Sequence, residues 1–248
     1  TPGSSLANYN HTDGLHWGGK ATQAISVKIA AVINSWFPSV QRLITSGFDA
    51  YDSTNNAGSS NKMQNGGLLT TTGGSLNNSI TGAVASQLSV ATDSGLGASM
   101  VASVGQSSWG WAGNSQKIAW SSALTFNNNL VRIFSASQHQ RFSPGQKARL
   151  RAYLKSTGLA GIINYLALYM FATVDGNTYS VGASHDYTLG ATTQYQVDRD
   201  GYCETDVFYI PAGTSLTDFH WQYGAYLNGT SASSASLEIG QLDLVPVS

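Results

Sequence analysis

The stretch that decides the fold of this chain is ARLRAYLK, from Ala148 to Lys155. Apolar residues occupy every second position along it, and larger polar or charged residues occupy the others. This strict alternation is typical of a β-strand with one buried face. Residues 162–172 are apolar on both faces, so we expect them to form a central, covered strand. In residues 219–223, Phe219, Trp221 and Tyr223 share one face of a further strand.

Turn signals separate these strands. Asp175-Gly176-Asn177 predicts a tight hairpin. In the last strand the apolar positions change phase at Gly240, which predicts a β-bulge. From about residue 66 onward, strands recur roughly every ten residues without intervening helices. This spacing predicts a mainly β domain, an antiparallel jelly-roll sandwich over residues 66–248.

The amino-terminal part has a different pattern. Residues 20–37 carry apolar side chains at the 3.6-residue period of an amphipathic α-helix, and Pro38 follows them. Residues 49–65 are rich in Ser, Asn and Gly without periodicity, which is typical of a linker. We therefore expect an amino-terminal segment with one amphipathic helix over residues 1–48, a linker over 49–65, and the sandwich over 66–248.

Composition excludes several classes of function. The chain has 248 residues, of which only 10% are charged, and its net charge is −1. Without a basic run, binding to nucleic acid is not expected. No apolar run reaches membrane-spanning length, so membrane insertion is not expected either. One cysteine cannot form an internal disulfide, and the start at Thr1 is typical of an internal cut.

The segment NHTDGLHWGG, residues 10–19, places Asp13 three positions before His16 at the entrance of the predicted helix. An Asp and a His so placed can fold together, with the carboxylate holding one ring nitrogen while the other faces a substrate. The alternative is an Asp that caps the helix and a His that packs in its first turn. The block resembles the last sequence motif of SGNH (GDSL-type) hydrolases, a family of serine esterases with an α/β/α domain.

That resemblance implies catalytic roles for both residues and makes the helix the remnant of a hydrolase domain. Asp13 would orient the imidazole, and His16 would act as the general base toward a serine. The chain contains no Gly-Asp-Ser element, which carries the family's nucleophile. We therefore expect this chain alone to be inactive, with the serine supplied elsewhere. The parent protein would cleave an ester, such as an O-acetyl group on a surface polysaccharide.

The remainder of the chain has a looser resemblance. The segments NGGLL and ITGAV, starting at Asn65 and Ile80, resemble the opening of jelly-roll domains appended to phage-type SGNH proteins. The ending ASLEIGQLDL, from Ala235, is similar to the last strand of carbohydrate-binding, galactose-binding-like sandwiches. The resemblance implies a virion fibre or spike protein, extracellular or virion-associated, that binds a cell-surface glycan. Such chains usually form homotrimers and contact other virion proteins. The alternative is a purely structural or adhesive virion protein in which the Asp13/His16 segment is a vestige.

Candidate glycan-binding residues are aromatic or amide side chains outside the core. Sugar rings present C–H faces that stack on aromatic rings, and amides bind the hydroxyls. Trp109 and Trp111 lie in a Gly-rich, loop-like stretch, although such loops also fold back into cores. His220 and Gln222 alternate with the aromatic residues of their strand, whose own face is expected to be core or subunit interface.

Metal and cofactor sites are not expected. Acidic residues cluster between positions 198 and 206, and oxygen ligands at such spacing suit Ca²⁺. Because an arginine lies among them, we favour a solvated hairpin tip. The histidines show no zinc-ligand spacing. The acidic residues are Asp198, Asp200, Glu204 and Asp206, and the histidines considered are His11, His139 and His185.

Overall fold

A computed structural model describes residues 28, 29, 32, 61–93, 95–109, 113–187 and 198–247. Lys28, Ile29 and Val32 are helical, as the periodicity predicts, and the rest of the predicted helix lies outside the described residues. Residues 61–247 belong to one compact unit, Ile44–Ser248. None of the described residues forms a helix long and apolar enough to cross a membrane.

The described part of this unit is built from strands, which confirms the predicted mainly β class. Its only helical elements among the described residues are single 3₁₀ turns at Gly97–Ser99 and His139–Arg141. The strands are β1 (Ser75–Leu76), β2 (Thr81–Gly82), β3 (Leu88–Thr92), β4 (Val101–Gln106), β5 (Asn114–Trp120), β6 (Thr125–Ser135), β7 (Lys147–Thr157), β8 (Ile163–Val174), β9 (Asn177–Tyr187), β10 (Asp200–Glu204), β11 (Phe208–Tyr209), β12 (Leu216–Thr230) and β13 (Ala235–Val247).

Two sheets pack into a β-sandwich. One has six strands in the order β1-β3-β6-β12-β8-β9, and the other has seven in the order β10-β7-β13-β5-β4-β2. The pairs are antiparallel except β1 with β3 and β2 with β4, which are two residues long. The last two strands of the chain enter the middle of the sheets: β12 pairs with β6 and β8, and β13 with β5 and β7. Short strands at the β1 and β2 edges leave little backbone for edge-to-edge pairing.

The local signals in the sequence are confirmed. Strand β7 alternates between buried and partly exposed side chains along its length, with its alanines and leucines in the core. The turn between β8 and β9 consists of Asp175 and Gly176, both at positive φ, as a type I′ turn requires. In β13 the register shifts between Gly240 and Asp243, where Gln241 also has a positive φ. The predicted bulge therefore keeps the later leucines pointing into the core.

The last residues of the predicted linker are part of the sandwich. Asn61 is 3% exposed, and its side-chain oxygen accepts hydrogen bonds from the backbone N–H of Met63 at 3.0 Å and of Leu244 at 2.9 Å. Its amide donates to the carbonyl of Leu242 at 3.1 Å. Met63 is fully buried, and its sulfur accepts a hydrogen bond from the indole of Trp221. The polar composition of residues 49–65 predicts a linker. Its last residues are instead integral to the sandwich, because the side-chain amide of Asn61 takes the place of a backbone hydrogen-bond partner for β13 beside its bulge.

Candidate functional site

The outer face of the six-stranded sheet carries a row of aromatic rings. Strand β8 directs its even-numbered aliphatic residues, such as Leu168 and Met170, into the core. Its odd-numbered residues Tyr165, Tyr169 and Phe171 are partly exposed on the other face. The sequence predicted a strand covered on both faces, and this was wrong for the outer one. A run of apolar residues does not show which of its two faces will be partly exposed to solvent.

The rings follow one another closely. The centroids of Tyr165 and Tyr169 are 5.5 Å apart, and those of Tyr169 and Phe171 are 6.0 Å apart. His220, opposite Phe171 in the neighbouring strand β12, continues the row with its ring stacked on Phe171 at 5.2 Å. Tyr226 flanks the other end, with its ring 6.3 Å from that of Tyr165. We call Tyr165, Tyr169, Phe171 and His220 the aromatic row.

Small residues lie between and beside the rings of the row. Tyr165 and Tyr169 approach each other across Ala167, which is buried although it lies on the outer face. Gly224 is the cross-strand neighbour of Ala167. A side chain at Gly224 would meet the amide of Gln222 and the side chain of Leu130 at 3.1 Å. The absence of a side chain at Gly224 therefore leaves space for the amide of Gln222 beside the row.

Polar groups beside the row are held in fixed orientations. The guanidinium of Arg132, on β6, donates to the side-chain oxygen of Gln222 at 3.0 Å and lies over the ring of Phe134 at 5.1 Å. His220 pairs its Nδ1 with the carboxylate of Asp218 at 2.7 Å, and 27% of its side chain is exposed. Arg132 thus fixes the direction of the Gln222 amide, and Asp218 fixes the imidazole ring.

Trp109 lies on the outer face of the other sheet. Its indole N–H donates to the carboxylate of Asp200 at 2.6 Å, and its ring lies 5.7 Å from that of Tyr153. Tyr202 packs edge-on against Tyr153 at 5.5 Å. The hydrogen bond from Trp109 holds the pKa of Asp200 below its ordinary value. Burial, together with the neighbouring Glu204, raises the pKa of Tyr202 well above its ordinary value, so this hydroxyl stays protonated.

The predicted glycan-binding residues therefore do not form one site. His220 and Gln222 lie on the outer face of the six-stranded sheet, whereas Trp109 lies on that of the seven-stranded sheet. Phe219, Trp221 and Tyr223 are fully buried between the sheets, as the core interpretation of their face predicted. Three predicted site residues lie outside the described residues: Asp13, His16 and Trp111.

Sequence reasoning missed most of the aromatic row. In the sequence, Tyr165, Tyr169 and Phe171 belong to an apolar run, in which they are the aromatic residues at odd-numbered positions. That difference between aromatic and aliphatic positions was the signal available. Arg132 gave no such signal, because its role depends on the pairing of β6 with β12.

The predicted acidic cluster is divided among separate partners. Asp198 accepts hydrogen bonds from the backbone N–H groups of Gly158 at 2.7 Å and Leu159 at 2.9 Å. Glu204 forms ion pairs with Arg149 and Arg151. Residues 200–204 are strand β10 rather than a hairpin tip, so their side chains alternate in direction. Among the described residues, no three His, Cys, Asp or Glu side chains are grouped so as to hold a metal ion.

Comparisons with known proteins give structural likeness only. No protein-family model matches the chain, and no curated protein matches it. One similar structure is from work on the promiscuous specificity of carbohydrate-binding modules of the β-sandwich superfamily, with a TM-score of 0.38 and 8% identity over 64% of this chain. The chain spans 57% of the length of that structure.

Two further similar structures are a cyclase and a xylan-binding domain. A Stig cyclase from Fischerella sp. TAU has a TM-score of 0.36 and 11% identity, over 56% of this chain and 66% of its own. The CBM22-1 xylan-binding domain of Paenibacillus barcinonensis Xyn10C has a TM-score of 0.37 and 10% identity, over 64% of this chain and 85% of its own.

Proposed function

We propose that the β-sandwich binds a cell-surface polysaccharide across the outer face of its six-stranded sheet. The observation that carries this proposal is the aromatic row, whose rings are partly exposed on a face with an oriented amide beside them. Aromatic rings offer apolar faces to the C–H groups of sugars, and contiguous exposed apolar surface marks a binding site. The imidazole of His220, held by Asp218 and with 27% of its side chain exposed, supplies a ring nitrogen for sugar hydroxyls, while Gln222 is 8% exposed and offers at most the edge of its amide.

The form of the row favours an extended chain over a single sugar. Its successive rings are 5 to 6 Å apart and run along β8 onto β12, so a glycan would pass over several rings in turn. We expect each ring to add a stacking contact comparable to that of an aromatic pair, about 0.5–1.5 kcal/mol. A row of such contacts gives useful affinity to a chain, whereas one sugar residue would cover only part of it.

Binding is tested by affinity electrophoresis in gels containing xylan, mixed-linkage β-glucan or bacterial surface polysaccharides, together with a glycan array. We expect retardation by at least one polymer, and dissociation constants about tenfold higher in Tyr169→Ala and Phe171→Ala. Tyr209→Ala is the matched control, because Tyr209 is 61% exposed on β11, beside the other sheet.

No binding to any glycan would refute the proposal, and so would equal weakening in the Tyr209→Ala variant. Light scattering on the same proteins tests whether the aromatic row is instead a contact between subunits. If Tyr169→Ala converts an oligomer into a monomer and no glycan binds, the row is a subunit contact. That result would support the structural or adhesive alternative.

We also propose that this chain is part of a phage-type SGNH esterase, extracellular or virion-associated and trimeric. The support is the sequence block around Asp13 and His16, with Asp13 as orienter and His16 as general base for a serine supplied elsewhere. A protein that joins this chain to a Gly-Asp-Ser element should hydrolyse p-nitrophenyl acetate, and His16→Ala should lower kcat by several orders of magnitude. His11→Ala, in the same block, is the control. Unchanged turnover in His16→Ala would refute the assignment.

A further inference from the structure

The outer face of the seven-stranded sheet has a polar cavity near Trp109. It exists because neighbouring strands carry small residues at facing positions: Gly105 on β4 lies opposite Ser115 on β5, which lies opposite Gly240 on β13. A side chain added at Gly105 would meet no atom within 4 Å. The cavity is lined by Ser103, Gly105, Gln106, Ser108, Ser115, Lys117 and Glu238.

A buried carboxylate forms one wall of this cavity. Glu238 is 4% exposed and accepts hydrogen bonds from the backbone N–H of Ser108 at 3.2 Å, the hydroxyl of Ser108 at 3.1 Å and that of Ser115 at 2.5 Å. Its cross-strand neighbours on the same face are Lys117 and Lys155. Lys155 pairs with Asp200 at 3.1 Å, while Lys117 lines the cavity. The site thus combines one anion, one cation and several hydroxyls.

The same contacts fix the indole of Trp109 beside the cavity. Glu238 holds the preceding residue, Ser108, against the sheet, and Asp200 accepts the indole N–H. A side chain at Gly240 would approach the Cζ3 atom of Trp109 to 3.3 Å, so the ring lies over the backbone of β13. The ring is partly exposed and its N–H is held by Asp200, so it loses little conformational entropy when a ligand stacks on it.

We propose that this cavity is a second, independent ligand site that takes a single neutral sugar residue. Glu238 and Lys117 disfavour a net charge of either sign in the ligand, and the polar lining disfavours an apolar one. A sugar ring satisfies both conditions, with neighbouring hydroxyls toward the carboxylate and ammonium and its C–H face on Trp109. This site is separate from the aromatic row, which lies on the opposite sheet.

The test follows the Trp109 indole N–H in ¹⁵N-tryptophan-labelled protein by NMR, with Trp109→Phe assigning the resonance. The probes are the methyl β-glycosides of glucose, galactose and xylose, and N-acetylglucosamine, up to about 100 mM, far above the dissociation constant of a weak site of about 1–10 mM. We expect at least one probe to shift the resonance saturably. Lys117→Met should raise that dissociation constant about tenfold or more.

Two variants separate this site from other effects. Lys147→Met removes another partly exposed lysine of the same sheet, whose ammonium lies over Tyr209, and should leave the titration unchanged. Tyr169→Ala should also leave the sugar titration of the Trp109 resonance unchanged while it weakens polysaccharide binding. The two proposed sites can therefore be refuted independently of each other. No shift with any probe would overturn the proposal, and so would a shift that Lys117→Met does not weaken.

Discussion

Replacing Asn61 by alanine tests whether residues just before position 66 are integral to the sandwich. The variant removes three hydrogen bonds at 2.9 to 3.1 Å and leaves the N–H of Leu244 and the carbonyl of Leu242 without this partner in a buried place. Each bond contributes about 0.5–1.5 kcal/mol net, and more where a buried group is left unsatisfied. We expect the free energy of unfolding to fall by about 3 kcal/mol.

The loss is measured by urea unfolding followed by tryptophan fluorescence. In a thermal scan it corresponds to a Tm lower by roughly 6–12 °C for a protein of this size. Asn177→Ala is the matched control, because Asn177 lies exposed beside the β8–β9 turn with one hydrogen bond at 3.5 Å, and it should change stability by about 0.5 kcal/mol or less. If Asn61→Ala is as stable as this control, residues 61–65 are a linker and the inference from the hydrogen bonds is wrong.

Two further predictions concern the seven-stranded sheet and a tight backbone contact. Because the indole of Trp109 holds the pKa of Asp200 below 3.8, this carboxylate contributes stability above its unfolded pKa and loses that contribution as the pH falls through its folded pKa. In Trp109→Phe, the pKa of Asp200 should rise toward 3.8 in a carboxyl-carbon NMR titration; an unchanged value would contradict the role of the indole. In Gly97→Ala, the new Cβ would overlap the backbone carbonyl oxygen of Asn78, so we expect the free energy of unfolding in urea to fall by about 1–3 kcal/mol. Gly105→Ala, with open space at its Cβ, should be neutral, and equal losses in the two glycine variants would contradict this reading of the packing.

Local sequence patterns predicted those structural features that depend only on neighbouring residues in the chain. The alternation of β7, the Asp175-Gly176 turn and the bulge near Gly240 each depend on φ angles and side-chain direction within a few residues. In each case the physical cause is present in the segment itself.

The candidate site was predicted only in part. His220 and Gln222 were found because they alternate with buried aromatic residues in one strand. Tyr165, Tyr169 and Phe171 were not predicted as site residues. Their strand, β8, is apolar on both faces, and the sequence does not show which face the sheet leaves partly exposed. Asn61 resembled a linker residue because hydrogen-bond partners more than 180 positions away leave no trace in local composition.

The sequence by itself determined the mainly β class, several of the longer strands and the turn at Asp175-Gly176, and it supplied the Asp13/His16 block on which the esterase proposal depends. Only the tertiary structure decided which side chains act together. It placed Trp109 on one sheet and His220 on the other, and it joined β8 to β12 so that four rings form a row. The physical reason is that side-chain direction along a strand is local, whereas the identity of neighbouring strands follows from pairings between distant parts of the chain.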